Sequence, residues 1–534
     1  MTGPMGSEIN DTRMNRLVVI LGLAALLTAG CAMVGPDYAR PPVKVEKSWQ
    51  EPANKQMQSA QVNYKDWWQV FKDPVLNQLI DTAYRENLPL RIAGVRVLEA
   101  RAQLGIAVGE FYPQTQQGTG LYQRERVSER AAEAVYSNIY TFSQDQIGLT
   151  ASWELDFWGK FRRSIQSADA GLHASIADYD NVLVSLTGDV AANYVNIRTI
   201  EKRLVIAHEN VKIQTESLQI AKARFLGGTT SERDVQQAKT ELASTQSTIP
   251  TLESQLRQSQ NALCVLLGKP PQHLAELMQG AAHIPAPPPQ VAVGIPADLL
   301  RRRPDIRFAE MQAMAQCSRI GVAKADLFPA FSLTGAIGLA ASDVAHFFLG
   351  DMFQWRSRTG AFGPSFHWNI LNYGQITNQV RVQDARFQEL LIAYQNTVLK
   401  AQQEVEDNLI AFIKSQERAK YLVASTAAAK RSLDLAIIQY REGITDFTTV
   451  LTAQQALLAQ QNALAVTLGD ISRNLVGLYR ALGGGWQIRG GRDFVPPKIK
   501  EAMARRTNWG RLLTPVAVRP VAESQRHLLR APEW

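Results

Sequence analysis

The sequence repeats itself. Displaced by 215 positions, Gly148 aligns with Gly363, Trp153 with Trp368, Gly159 with Gly374, Tyr179 with Tyr394 and Asn193 with Asn408. The match runs on without a gap through Gly228 with Gly443, Val235 with Val450, Leu263 with Leu478 and Gly268 with Gly483. A displacement of 216 carries it backwards, pairing Arg91 with Arg307, Gly105 with Gly321 and Pro113 with Pro329. Whatever one half folds into, the other must fold into as well, so the chain is two copies of one supersecondary unit. Residues 74–268 form the first copy and 297–485 the second. Residues 269–296, with Pro270, Pro271, Pro285, Pro287, Pro288 and Pro289, are a linker by composition.

Each copy predicts a long antiparallel helix pair. Val235, Ala238, Leu242, Thr245, Ile249, Leu252, Leu256, Ser259, Leu263 and Leu266 alternate steps of three and four, the seam of a coiled coil. The second copy repeats it at Val450, Ala453, Leu457, Leu464, Ile471 and Leu478. Gly159 to Phe225 contains no proline, which predicts one helix of about 67 residues and, at 1.5 Å per residue, about 100 Å. Pro250 is expected to kink the returning helix.

Ahead of each long helix the period changes to two. Ile147, Leu149, Ala151, Trp153, Leu155 and Phe157 alternate with Gln146, Thr150, Ser152, Glu154 and Asp156 around Gly148, the pattern of a transmembrane strand. In the second copy Phe362, Phe366, Trp368 and Ile370 face out, and Gly363, Ser365, His367 and Asn369 face in. Phe331 to Leu339 suggests a partner strand, and Gln114 to Gln123 a fainter one in the first copy. Four strands cannot close a barrel, and open sheet edges are forbidden in lipid, so the chain must oligomerise. Three copies give twelve strands. The predicted fold is mixed α and membrane β: a trimeric twelve-stranded outer-membrane barrel, four strands per chain, continued by a long α-helical coiled-coil tunnel.

The N-terminus says where this happens. Leu17 to Ala29 is an apolar run too short to cross a bilayer, and it ends at Gly30-Cys31, the anatomy of a signal peptide over residues 1–30 followed by a lipidated cysteine. Met14 is the expected start. Cys31 is the expected lipidation site at the head of an extended segment, 31–73, and Ala32 behind it favours the outer membrane. The formal charge of +8 resides largely in the tail, 486–534, where ten Lys/Arg face four Asp/Glu. Without RNP or zinc-finger motifs this is no nucleic-acid reader. Three cysteines at no CxxC spacing, seven scattered histidines, and no HExxH, P-loop or GxSxG elbow leave no enzyme, cofactor or metal site to propose. A structural coiled-coil lipoprotein needs the heptads alone; the duplicated strands argue against it.

Several motifs carry a resemblance: Gly35-Pro36-Asp37-Tyr38, Trp67-Trp68 with Phe71 and Asp73-Pro74, Glu154-Leu155-Asp156 with Trp158-Gly159, Leu299-Leu300 with Arg302-Arg303-Pro304-Asp305, and Tyr440-Arg-Glu-Gly443. Over roughly Cys31 to Trp486 the chain resembles the outer-membrane factors of tripartite efflux pumps, in the NodT-like lipoprotein branch of the OprM/TolC-like family. The resemblance implies a homotrimer in outer-membrane lipid, extending into the periplasm, with a midway equatorial domain. It passes small molecules from a periplasmic adaptor and an inner-membrane pump of the resistance-nodulation-division type. An exit channel for type I protein secretion shares the architecture. The helix turns Gly227-Gly228-Thr229-Thr230 and Gly443-Ile444-Thr445-Asp446, the surface furthest from the barrel, are expected to dock the adaptor. Family members often carry aspartates just past the second tip. Here the matching positions are Thr449 and Thr452, so Thr445, Thr449 and Thr452 are expected to line a neutral constriction, Arg441 being a further constriction candidate; the alternative is an Arg441–Asp446 ion pair that holds the tips together. The resemblance gives residues 490–534 no role.

Overall fold

The computed structural model describes residues 33–45, 48–50, 57–58, 64–130, 140–274, 278, 283–288, 291–292, 302–344 and 349–514. The signal peptide, Cys31, Leu299-Leu300 and the last twenty residues of the tail lie outside them.

The duplication is exact to the residue in the helices. After a short helix α1 (Pro74–Glu86), the first copy runs α2 (Leu88–Gly109), strands β1 (Thr115–Arg126) and β2 (Thr141–Leu155), α3 (Lys160–Leu226) and α4 (Glu232–Leu266). The second runs α5 (Pro304–Ala325), β3 (Ala330–Ser342), β4 (Arg358–His367), α6 (Gln375–Arg441) and α7 (Phe447–Ala481). The paired helices have 22, 67 and 35 residues in both copies. α4 continues through Pro250 without a break in its helix.

The strands form one antiparallel sheet in the order β1-β2-β3-β4. Its central register sets Ile147 opposite Leu339, Leu149 opposite Ile337 and Trp153 opposite Leu333, so apolar meets apolar on one face. Each strand joins a helix directly, and the helices keep the strand order: α2 lies on α3, α3 on α5 and α5 on α6. Further down, α4 packs on α3, α3 on α7 and α7 on α6. The seam residues bury as their spacing predicts, with Val235, Ala238, Leu252 and Leu263 from α4 and Val450, Leu457 and Leu478 from α7 in the core.

Two strand expectations need correction. β2 ends at Leu155 and β4 at His367, so Phe157, Trp368 and Ile370 lie beyond the ladder. The reason is the joint below. Asp156 turns back to accept the amides of Phe161 and Arg162 at 3.0 and 3.1 Å, capping α3, and the indole of Trp368 donates to the Leu327 carbonyl at 3.1 Å.

The quoted motifs are joints of this kind. Asp73 caps α1 by accepting the amides of Val75 and Leu76, and also accepts the Tyr194 hydroxyl of α3 at 2.8 Å. Trp67 is buried and stacks on Tyr479 of α7 at 5.3 Å. Arg303 donates to the Ala481 carbonyl at the end of α7 and pairs with Asp305 and with Glu404 of α6, at 2.6, 2.7 and 2.8 Å.

The start of the tail, which the sequence left without a role, folds back onto the first copy. Helix α8 (Pro497–Arg506) buries Met503 against Leu98 of α2 and Val495. The strap passes so close to α2 that a side chain at Gly94 would meet the Phe494 carbonyl at 2.1 Å. Arg101 of α2 donates to the carbonyls of Leu512 and Thr514 at 2.8 and 3.1 Å. Asp180, fully buried on α3, is held by Arg489 of the tail at 2.9 Å and faces Arg307 of α5 at 3.7 Å, tying both copies and the tail together. Removing one partner of a buried ion pair costs about 3–5 kcal/mol, and the partly exposed arginines place Asp180→Ala near ~3 kcal/mol. The variant should melt several degrees lower in detergent and expose the tail to trypsin; an unchanged midpoint would show that the tail is merely apposed.

Candidate functional site

The chain's chemistry is concentrated at its two ends and along the face between them. At the upper end, the outward-facing residues Leu149, Ile337, Phe362 and Phe366 stand open to the surroundings, Phe362 at 84% exposure. Apolar side chains in such a band belong in hydrocarbon. At the foot of the sheet Trp153 donates to the Phe111 carbonyl at 3.1 Å and Trp158 to that of Pro329 at 2.8 Å. Amphipathic rings with satisfied N–H groups at that height fit an aromatic girdle at a membrane–water boundary. Among the described residues, no helix is long and apolar enough to cross a membrane.

Below the sheet, a concave trough of about 710 Å³ runs across α2, α3 and α5, lined by Arg96, Glu99, Gln103, Asp178, Gln312 and Arg319 among others. Both charge signs line it, as befits a wet wall. His367, on the polar face of β4, is exposed and sits 2.9 Å from the Asn369 side-chain oxygen. Cys264 is buried in the helical core.

The lower end is built from two matching turns. α3 and α6 each close in a Schellman motif: the Thr229 amide donates to the Arg224 carbonyl and that of Gly228 to Phe225, while Ile444 donates to Gln439 and Gly443 to Tyr440. Gly228 and Gly443 stand at φ +70 and +79, a left-handed backbone that glycine adopts without strain. Thr229 and Ile444 project from the turns, Ile444 at 74% exposure.

Beyond the turns the copies diverge. Asp446 caps α7, accepting the Thr449 amide at 3.3 Å and hydroxyl at 3.0 Å, and these bonds hold its carboxyl below the usual carboxylate range. The cap is therefore charged at neutral pH and is lost as pH falls through that lowered value. Thr445 donates to Thr449 at 2.9 Å and Thr452 to its own helix at the Thr448 carbonyl. Among the described residues of the single chain Arg441 and Asp446 form no ion pair, and the carboxylate is turned onto the helix amide.

In the first copy the residue at the place of Thr449 is Asp234, and it is buried. It accepts the hydroxyl of Thr230 and, at 3.3 Å, that of Tyr440 from α6. Burial pushes the Tyr440 phenol up, so the hydroxyl stays a donor. Arg224 of α3 stacks over the Tyr440 ring at 4.7 Å and donates to its carbonyl. Sequence reasoning missed this lock between the copies. The signal was available in the 215-residue displacement, which places an acid opposite a threonine.

The profile of the outer membrane efflux protein family matches residues 79–269 and 295–484. The chain belongs to that family. Nodulation protein T of Rhizobium leguminosarum bv. viciae is 31% identical over 476 residues, covering 89% of this chain and 93% of that protein. The solvent efflux pump outer membrane protein SrpC of Pseudomonas putida is 32% identical over 480 residues, covering 87% and 97%. Among solved structures, the outer-membrane channel OprN superposes with a TM-score of 0.79 at 31% identity, over 85% of this chain and 99% of that one. CusC does so with 0.72 at 28%, over 85% and 100%.

The fold of the family is a trimeric channel with a barrel and a long helical tunnel. The chain brings four strands and two helical hairpins to it. It is an outer-membrane efflux channel reaching into the periplasm, and not an enzyme.

Proposed function

We propose that three copies of the chain form the exit duct of a tripartite pump whose periplasmic adaptor grips the tips at Gly227, Gly228, Thr229, Thr230, Gly443, Ile444, Thr445 and Asp446. An inner-membrane pump of the resistance-nodulation-division type loads it with small organic molecules, in keeping with the solvent export named for one relative. The observation that carries this reading is the separation of ends: an apolar sheet with two open edges sits at one end of the 67-residue helices and the glycine turns at the other, about 100 Å away. Cys31 carries the lipid anchor in this reading, and Thr445, Thr449 and Thr452 with Arg441 form a constriction without an acidic ring.

Cysteines introduced at Thr229 and Ile444 should crosslink to the adaptor in cells. Silence from both, with mid-height positions giving crosslinks, would remove the tips from the interface. Hydroxyls lack the concentrated negative charge of converging carboxylates, so a trivalent cation should block wild-type conductance in planar bilayers weakly. Thr452→Asp should lower the blocking concentration about tenfold or more, the effect of a site worth ~1.4 kcal/mol; equal block in both would mean that the threonines are not at the constriction. Intact-mass analysis of the purified chain should give residues 31–534 plus acyl chains, and the bare polypeptide mass would refute lipidation.

A further inference from the structure

The folded part of the tail is unusual in its charge. Residues 486–514 hold seven Lys/Arg against two Asp/Glu. Arg489 is spent on Asp180 and Lys500 on Asp493. The other five, Arg492, Lys498, Arg505, Arg506 and Arg511, are exposed and form no ion pair among the described residues. Lys498 and Arg505 are seven residues apart on α8, hence on one face, while Met503 on another face anchors the helix. The tail therefore holds its cations outward on a fixed scaffold.

Position adds to charge. The tail seats on Gly94, Leu98 and Arg101 of α2, whereas the polar trough uses Arg96, Glu99 and Gln103, about half a turn away. In the duct reading the trough faces the bore, which sets the cations on the outer side. Asp180, where the tail is pinned, lies twenty residues into α3, about 30 Å below the sheet and about 70 Å above the tips. Beside the cations opens a cleft of about 650 Å³, where Tyr84, Tyr179 and Phe494 lie among Arg492 and Lys498. Arg492 stacks over the Tyr84 ring at 5.5 Å.

A duct that crosses the periplasm passes through the cell wall. That wall is a mesh of N-acetylated sugars with peptide stems bearing free carboxylates. Cations outside the channel at mid-height match the carboxylates of this polymer. We propose that the folded tail, residues 486–514, is a collar that binds peptidoglycan, with Arg492, Lys498, Arg505 and Arg506 meeting its carboxylates. The placement rests on the duct reading above, but the binding is separable from conduction.

Full-length channel in detergent would be sedimented with protease-treated, lipoprotein-free peptidoglycan sacculi. Wild type should co-sediment at low salt and be released as ionic strength rises, as exposed charge pairs are. Arg492→Glu/Lys498→Glu/Arg505→Glu/Arg506→Glu should lose about tenfold in sacculus affinity, the sum of four modest surface contacts, while keeping its planar-bilayer conductance. Blocking the sacculus carboxylates with carbodiimide and a neutral amine should abolish wild-type binding, a result that needs no variant to fold. Undiminished binding by the quadruple variant or to blocked sacculi would overturn the proposal. So would wild type ignoring sacculi and binding phosphatidylglycerol vesicles, which would make the partner a membrane. Wild type that binds sacculi yet gives no conductance in planar bilayers would instead count against the duct reading.

Discussion

Everything in this molecule answers to two unpaired strand edges. β1 and β4 each leave a row of backbone N–H and C=O groups without partners, and in hydrocarbon every such group costs several kcal/mol. No side-chain substitution removes that cost; only another strand does. The sheet thus makes the single chain an incomplete object. Because the helices keep the strand order, closing the sheet also brings α6 of one copy toward α2 and α4 of the next. The exposed apolar residues of α6, Ile392, Leu399, Tyr421 and Val423 among them, are then what a neighbouring helix would cover.

Much of this was legible in the sequence, for a physical reason. Long helices and membrane strands write their burial as a period, and duplication writes it twice, so a faint signal in one copy is read from the other. β1 is the example. Its residues Thr115 to Arg126 alternate poorly, and Gln114 to Gln123 gives only a faint strand signal, yet the displacement of 216 sets the segment against the clearer Phe331 to Leu339. What the sequence hid were contacts across long separations. Nothing local marks Arg489 as the partner of Asp180, 309 positions away, or Trp67 as the ring beneath Tyr479. Strand ends were also misjudged, because alternation continues past the last ladder bond while Asp156 and Trp368 have already committed the backbone to a joint.

The tips show how duplication loosens function from fold. The same glycine turn closes both hairpins, so the backbone is held in common. The residue at the place of Asp234 and Thr449 has diverged: one copy sinks its acid into a contact with Tyr440, and the other keeps a hydroxyl bonded to the helix cap. The two copies are interchangeable as struts and unlike as surfaces. A channel made of three such chains has six hairpins in two alternating kinds.

The equal helix lengths, 67 with 67 and 35 with 35, constrain how such a gene can change. One residue deleted from α3 would raise its tip by about 1.5 Å and turn its seam by about 100° relative to α6, breaking the heptad register and the Asp234–Tyr440 contact together. A compensating deletion is needed in α4, and again in the other copy if the tips are to stay level. Indels in the tunnel are therefore tolerated only in matched sets, and natural length variation should concentrate in the strand loops and the linker, where no second strut must follow.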